Sequence, residues 1–498
     1  MDSRRWTPSD PRGWGVTSLL MLIATALRVP GLGTPKTFVF DETYYAKDAF
    51  SLLRFGYERA FVEGANDRIL NGDLGVFTND PAFVVHPPLG KWMIAIGEWL
   101  FGMGPFGWRI SAAIIGVIMV ALVHRIALRL FRNRWTAALA GLFMAVDGMA
   151  IVLSRTALLD QFLTFWILLT LYALVRDRDY YRRTLQLSAS RQPVPSARWV
   201  RPWRLLAIVA ISCAFATKWS ALWFAFGLGL LALWWDTQEQ KAHPGVDPNS
   251  WLRELGWIAV SAVVGTITYI STWTGWFLSD NAYNRLNGSN ALSGWIGYHR
   301  AALGFHTGLR TEHSYQADPM WWPLQRRPTS FWYEGYSNGQ AGCDVAKCSA
   351  EVLALGNPLL WWGASLAVIG FMVWFMLQRR SRVHLSVLTA PFVGIASGWL
   401  PWLYFSERTT FTFYSIVFAP FMFMVLAHAL VVLGTKTSVR DAEEFALSVE
   451  TRHPIRFPLT VGFVLAVIAA SIFFYPIWVG WTIPYDAWQL RMWFQSWI

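Results

Sequence analysis

Eleven stretches of about twenty mostly apolar residues punctuate this sequence, and a stretch of that length crosses the hydrocarbon core of a bilayer as a helix. They fall near 14–33, 105–124, 136–153, 157–175, 204–217, 219–235, 255–273, 358–377, 384–403, 411–433 and 458–478. Only Lys218 separates the fifth run from the sixth, which makes them a tight hairpin or one broken pair. Composition agrees with a lipid-facing surface: 54% apolar and 15% charged residues leave too little charge to cover a soluble protein. The 31 Trp suit rings seated at the headgroups on both sides of a membrane. Met1 to Arg12 is polar and the next run shows no small-residue cleavage site, so no signal peptide is expected. The chain reads as an all-α polytopic membrane protein.

The net charge of +11 invites a nucleic-acid reading, but the cations cluster in short connections between apolar runs, as topology signals do. Arg4, Arg5 and Arg12, then Arg125, Arg129, Arg132 and Arg134, then the eight arginines of 176–204, share one side. Lys241, Arg253, Arg379, Arg380, Arg382, Lys436, Arg440, Arg452 and Arg456 join them, making more than half of the 42 Lys and Arg. This predicts an N-terminus inside and a C-terminus outside, in a cell membrane. Two long segments, about 34–104 and 274–357, then lie outside, and 479–498 is an outside tail to a domain over 1–478. Cys343 and Cys348 stand close together in the second segment, where an oxidising face favours a disulfide over two free thiols. No internal repeat is visible, which argues against a duplicated transporter.

The first outside segment opens FVFDETYYAKDAFSLL, with Ala46, Ala49, Phe50 and Leu53 on one helical face. Such a helix is expected to lie along the membrane surface. Asp41 and Glu42 stand at its N-terminus. The plainer reading is a helix cap in a favourable dipole field. The sharper one is a catalytic carboxylate that takes the proton of an acceptor hydroxyl, provided cations on the same face can hold a departing phosphate. Four cations sit at outer ends of spans. Arg109 opposes the dipole of its own helix, Arg155 and Asp160 share a short turn and are near enough to pair, and Lys218 and Arg408 stand in short connections. Each is explained alone by snorkelling to the headgroups, but four on one side favour a shared anion site. Arg28 lies within the first span with no partner assigned.

At these residues the sequence resembles the protein O-mannosyltransferase family, polyprenyl-phosphate-dependent glycosyltransferases of the GT-C class. The matching stretches run in order along nearly the whole chain: FDE (Phe40–Glu42), VHPPLGKW (Val85–Trp92), WRISAAIIG, SRTALLD and ATKWSAL. They continue with the loop from His313 to Tyr333 (Trp322, Pro323, Arg327, Pro328), GNPLLWW (Gly356–Trp362) and SGWLPWLYFSERTTFTFY (Ser397–Tyr414). The second outside segment, only about 80 residues long, lacks the large insertion of eukaryotic members and is similar to compact actinobacterial ones with a Cys pair there.

The resemblance implies a polyprenyl-phosphate mannose donor whose tail enters between helices, and Ser or Thr hydroxyls of exported polypeptides as acceptors. Inversion of a β-linked donor to an α-mannoside is implied with them. On that reading Asp41 is the base, Glu42 orients substrate or supports its helix, and some of Arg109, Arg155, Lys218 and Arg408 hold the lipid phosphate. Asp160 belongs to the same set. His86 holds acceptor or sugar, or only bonds at a helix boundary before Pro87. No His/Cys/Asp cluster has metal-ligand spacing, so neither metal nor cofactor is expected. The secretion translocon is an expected partner. The alternative is a GT-C relative moving a pentose or hexose from a polyprenyl-phosphate donor to a lipid or cell-wall glycan; a transporter or a scaffold fits less well.

Overall fold

In hydrocarbon no water is at hand for backbone amides and carbonyls, so apolar runs must pair them internally. The computed structural model describes residues 11–190, 200–247, 249–377, 382–435 and 452–498, and each apolar run falls on helical backbone there. After α1 (Pro11–Arg28) the first long segment folds as α2 (Glu42–Phe55), β1 (Arg59–Phe61), α3 (Ala65–Leu70), β2 (Phe77–Pro81) and α4 (Leu89–Phe101). Seven helices follow: α5 (Pro105–Phe131), α6 (Arg134–Val146), α7 (Gly148–Ser154), α8 (Leu159–Ala189), α9 (Pro202–Phe215), α10 (Ala221–Ala242) and α11 (Ser250–Ser271). The second long segment holds α12 (Thr274–Leu278), α13 (Ala291–Gly308) and a hairpin of β3 (Thr329–Ser337) and β4 (Lys347–Ala354). Last come α14 (Pro358–Leu377), α15 (Arg382–Tyr404), α16 (Ala419–Gly434), α17 (Arg456–Val479), β5 (Ile483–Pro484) and α18 (Tyr485–Gln489).

Length and apolarity alone qualify six helices among the described residues as spans: α5, α8, α11, α14, α15 and α17. A seventh counts if α6 and α7, bent by 58° at Asp147, form one broken span. Helices α1, α9 and α16 are apolar but shorter. The chain is a multi-pass membrane protein, but eleven full-length spans are not established. The shortfall has local causes: α9 has 14 residues, about 21 Å against a core of about 30 Å. A 3-10 turn over Thr412–Val417 takes the first residues of the tenth run.

Two small antiparallel sheets accompany the helices. One pairs β1 with β2, and the other has the order β3-β4-β5. Cys343 and Cys348 are disulfide-bonded at the tip of the β3–β4 hairpin. Residues 480–498 are no free tail: Cys348 and Ser349 pair with Pro484 and Ile483. Trp488 Nε1 donates to Glu351 at 2.6 Å, Trp497 Nε1 to the Gln325 carbonyl at 2.9 Å, and Arg327 to the carbonyls of Ser496 and Ile498.

The α2 face also differs in detail. Ala46, Ala49 and Phe50 are buried, but Leu53 is exposed and Leu52 takes its place against the core. At the opposite end of the bundle, Arg201 and Arg204 are not solvated loop charges. Both are buried and pair with Asp177 and Asp236, tying α8, α9 and α10 together. Of the other orientation-setting cations, Arg4, Arg5, Arg191, Arg198, Arg379, Arg380, Lys436 and Arg440 lie outside the described residues.

Candidate active site

Phe40 sets the start of the site. Its φ of 46° lies in the left-handed region, unusual for a bulky residue, and its ring pays back the strain in an aromatic cluster. It stacks on Phe331 of β3 at 4.9 Å and meets Phe411 and Phe413 edge-on, each at 5.6 Å. The turn so fixed places Asp41 at the N-cap of α2 and Glu42 at its first helical position.

The two neighbouring carboxylates then part company. Glu42 is fully buried, and each oxygen accepts two hydrogen bonds: Oε1 from Arg109 Nε (2.8 Å) and the Ala157 amide (3.1 Å), Oε2 from Arg109 Nη2 (2.8 Å) and the Val39 amide (3.0 Å). Its lone pairs are spent, so Glu42 is a brace between α2, α5 and the turn before α8. Asp41 makes no cap bond, and its carboxylate has no hydrogen-bond or ion-pair partner among the described residues. Burial raises its pKa to about 7; Lys218 pulls that value down and Asp160 pushes it up. The helix-cap explanation therefore fails for Asp41, and an unpartnered carboxylate of that pKa is equipped to accept a proton near neutrality.

Of the four cations, two are committed elsewhere. Arg109 donates to the carbonyls of Leu32, Pro35 and Thr37 as well as to Glu42. Arg155 does not pair with Asp160; it binds the carbonyls of Arg28, Pro30 and Gly31 at 2.7–2.8 Å. Both guanidiniums clamp the irregular backbone between α1 and α2; all five N–H groups of Arg109 are engaged, and Arg155 turns three of its own to carbonyls. Arg28 finds its partners in Ser154 Oγ and the carbonyls of Met144 and Ala145, at the break between α6 and α8.

Lys218 and Arg408 remain. Lys218 is buried rather than snorkelling, with Nζ at 2.9 and 3.0 Å from the Asp160 oxygens and 4.2 Å from the centre of the Tyr414 ring. Arg408 is half-buried, lies over Trp402 at 5.6 Å, and donates to the His306 carbonyl at 3.1 Å. His86 faces His306 with ring centres 5.0 Å apart and Tyr45 at 6.2 Å. Its Nδ1 is buried without a partner, and burial first, then Lys218, His306, Lys91 and Arg408, hold its pKa well below the usual value. Tyr45, one turn beyond Asp41, has a phenol pushed well up by burial, Asp41 and Asp160.

The matching motifs interlock around this point. In HPPLGKW the Leu89 amide donates to the Ala216 carbonyl at 3.1 Å, next to Lys218. A Cβ on Gly90 would meet Leu159 at 2.7 Å and Thr217 at 2.9 Å, so only glycine lets α4 approach so closely. Lys91 pairs with buried Glu58 and holds the His86 carbonyl at 3.2 Å. In GNPLLWW the Asn357 amide and Trp361 Nε1 donate to Asp147 at 3.0 and 2.9 Å, a structural latch. Sequence reasoning missed Tyr45, Tyr414, Lys91 and His306; the first three lie inside quoted motifs, and His306 lies in none.

Two apolar grooves flank α10, the helix that follows Lys218. One, about 610 Å³, runs between α10 and α15 past Trp223, Leu230, Val393 and Phe405, three residues short of Arg408. The other, about 930 Å³, lies among α9, α10 and α11 under Trp295 and His299. Among the described residues no three His, Cys, Asp or Glu side chains are grouped as metal ligands.

Two family models match this chain: "Dolichyl-phosphate-mannose-protein mannosyltransferase" over residues 86–244 and "C-terminal four TMM region of protein-O-mannosyltransferase" over 291–497. The polyprenol-phosphate-mannose–protein mannosyltransferase of Mycolicibacterium smegmatis is 33% identical, covering 98% of this chain and 93% of its own. That of Corynebacterium glutamicum is 28% identical over 99% and 94%. In three dimensions the S. cerevisiae protein O-mannosyltransferase Pmt1-Pmt2 complex, solved with its sugar donor, superposes with a TM-score of 0.74 at 14% identity, over 98% of this chain and 93% of that one. From the bundle, the ordered motifs and these matches, the chain belongs to the protein O-mannosyltransferase family of GT-C glycosyltransferases.

Proposed function

We infer that this chain transfers mannose from polyprenyl-phosphate mannose to Ser or Thr hydroxyls of polypeptides, inverting the anomeric carbon. Its family supports the reaction class, and the names of its mycobacterial and corynebacterial relatives supply donor and acceptor. One observation carries the assignment of roles: Asp41 is unpartnered, with a pKa of about 7, in the field of the Lys218–Asp160 pair.

In the proposed reaction Asp41 takes the acceptor hydroxyl proton as that oxygen bonds to C1 of the mannose. The C1–O bond to phosphate breaks, its electron pair stays on phosphate oxygen, and Lys218 and Arg408 meet the charge that develops there. One displacement by one base turns a β-linked donor into an α-mannoside. Asp160 holds Lys218 in place, Glu42 braces the helix that carries Asp41, and His86 contacts acceptor or sugar. The polyprenyl tail lies in the groove between α10 and α15, the one lined by Phe405, three residues before Arg408. No metal takes part, so chelation leaves the rate unchanged.

The cation distribution supports a cell-membrane protein with its N-terminus in the cytoplasm and the Asp41 site on the outer face. Acceptors reach that face unfolded, which makes the secretion translocon a partner. Equal modification of fully folded secreted proteins would sink that partnership.

The test is transfer of labelled mannose from polyprenyl-phosphate mannose to a Ser/Thr/Pro-rich peptide by purified parent and Asp41→Asn. Transfer by the parent that collapses in the variant supports donor, acceptor and base together. Donor consumed only with lipid or glycan acceptors moves the reading to the related pentose or hexose transferase.

A further inference from the structure

We propose that His306 is a positioning residue for the phosphate-binding guanidinium of Arg408; the inference rests on the role given to Arg408 above. His306 lies near the end of α13, 102 residues before Arg408 in sequence, and meets it twice. Arg408 Nε donates to the His306 carbonyl at 3.1 Å, and Arg408 Nη2 lies 3.4 Å from His306 Nδ1. The other ring nitrogen, Nε2, is 2.8 Å from the Val85 carbonyl.

These contacts fix the tautomer. A guanidinium only donates and a carbonyl only accepts, so Nδ1 carries the lone pair and Nε2 the proton. Burial pushes the ring's pKa down to about 4; the Val85 carbonyl pulls it up, Arg408 and Lys218 add lesser downward pulls, and the ring is neutral where the enzyme works. Neutral His306 can accept from Arg408; protonated, it would repel it.

The ring is itself held on every side. Val85 belongs to the stretch that carries His86, whose ring lies 5.0 Å from that of His306, and Trp219, next to Lys218, packs at 5.8 Å. Two helical turns earlier on α13, the Tyr298 hydroxyl donates to the Val84 carbonyl at 2.7 Å and accepts the Val84 amide at 3.1 Å. So α13 is pinned to residues 84–85 at two points, and its second pin reaches on to Arg408. With Nη1 near the Thr409 carbonyl at 3.4 Å, three of the five guanidinium N–H groups have protein acceptors, which leaves two for phosphate oxygens. An arginine on a short loop is otherwise free to swing toward solvent, and the donor would have to order it on binding.

The experiment is steady-state transfer with donor concentration varied, using full-length protein. The variants are His306→Phe, which keeps the ring packing but cannot accept, and His306→Gln, whose amide both accepts and donates. Arg408→Ala and the His306→Phe/Arg408→Ala pair complete the cycle. His306→Phe is expected to raise donor KM about tenfold with kcat within about threefold of the parent, the loss of one hydrogen bond to a charged group. His306→Gln restores most of the loss, and the double variant is no worse than Arg408→Ala alone. An Arg408→Ala defect in KM without one in His306→Phe, or two defects that multiply, overturns the positioning role. An unchanged KM in Arg408→Ala instead overturns the phosphate role of Arg408. Should His306→Phe fail to fold, His306→Gln against His306→Met poses the same question, with acceptor and non-acceptor of similar length.

Discussion

Glu42 and Arg109 form a two-pronged buried pair, with Arg109 Nε and Nη2 each 2.8 Å from a Glu42 oxygen, while Asp41 next door touches neither. Charge removal at the two acids should therefore separate stability from chemistry. Glu42→Gln leaves a buried guanidinium without its counter-charge and should cost about 3 kcal/mol or more, read as a lowered Tm and poor yield. Asp41→Asn should keep the parent Tm and lose about 10²- to 10⁴-fold in kcat. Reversed outcomes would exchange the roles assigned here.

The pH dependence follows from the direction of the Asp41 shift. Burial raises its pKa from 3.8 to about 7, and the base acts only when ionised. The rate should fall about tenfold per pH unit below neutrality and level off above it. Lys218 draws that pKa down, so Lys218→Met should move the midpoint of the kcat/KM profile upward, whatever it does to the maximum. A profile flat from pH 5 to 8 would contradict the assignment.

Gly90→Ala tests the contact between motifs. The added methyl presses on Leu159 and Thr217, both fully buried, and overpacking of this kind costs about 1–3 kcal/mol. Thr217 adjoins Lys218, so donor KM should rise along with the fall in Tm. A variant with parent Tm and KM would show that α4 has room to shift.

Loss of the Cys343–Cys348 bond should matter for stability rather than turnover. Tyr336, which pairs with Cys348, lies five positions along β3 from Phe331, which stacks on Phe40, a span of roughly 17 Å. The double serine variant should lose about 2 kcal/mol at most and keep transfer to peptide within about twofold. Thermal melts and the peptide assay on reduced and oxidised protein check both halves.

The apolar runs were legible because the bilayer imposes one length and one internal bonding scheme on all of them. How many cross it in full was less so, since a single buried Asp147 or a 3-10 turn breaks a run that still looks continuous. The acids at 41 and 42 stood out in the sequence, but not which of them is free. That depends on Arg109, 67 residues away, and on the Ala157 amide, 115 away. Arg155 misled for the same reason, since its partners are carbonyls of residues 28–31, and a carbonyl leaves no mark in a sequence. His306 left none either, because its meaning lies in two contacts made across the fold.

Strand β5 completes the three-stranded sheet only after α17 has been made, and Trp488 and Trp497 close on Glu351 and Gln325 with it. On the ribosome, then, every helix of the bundle is synthesised before the β3–β4 hairpin has its last strand. A chain halted after α17 carries Asp41, Lys218 and Arg408 but an unfinished sheet, so the hairpin that bears Phe331 gains its outer brace last, after the whole bundle has been made.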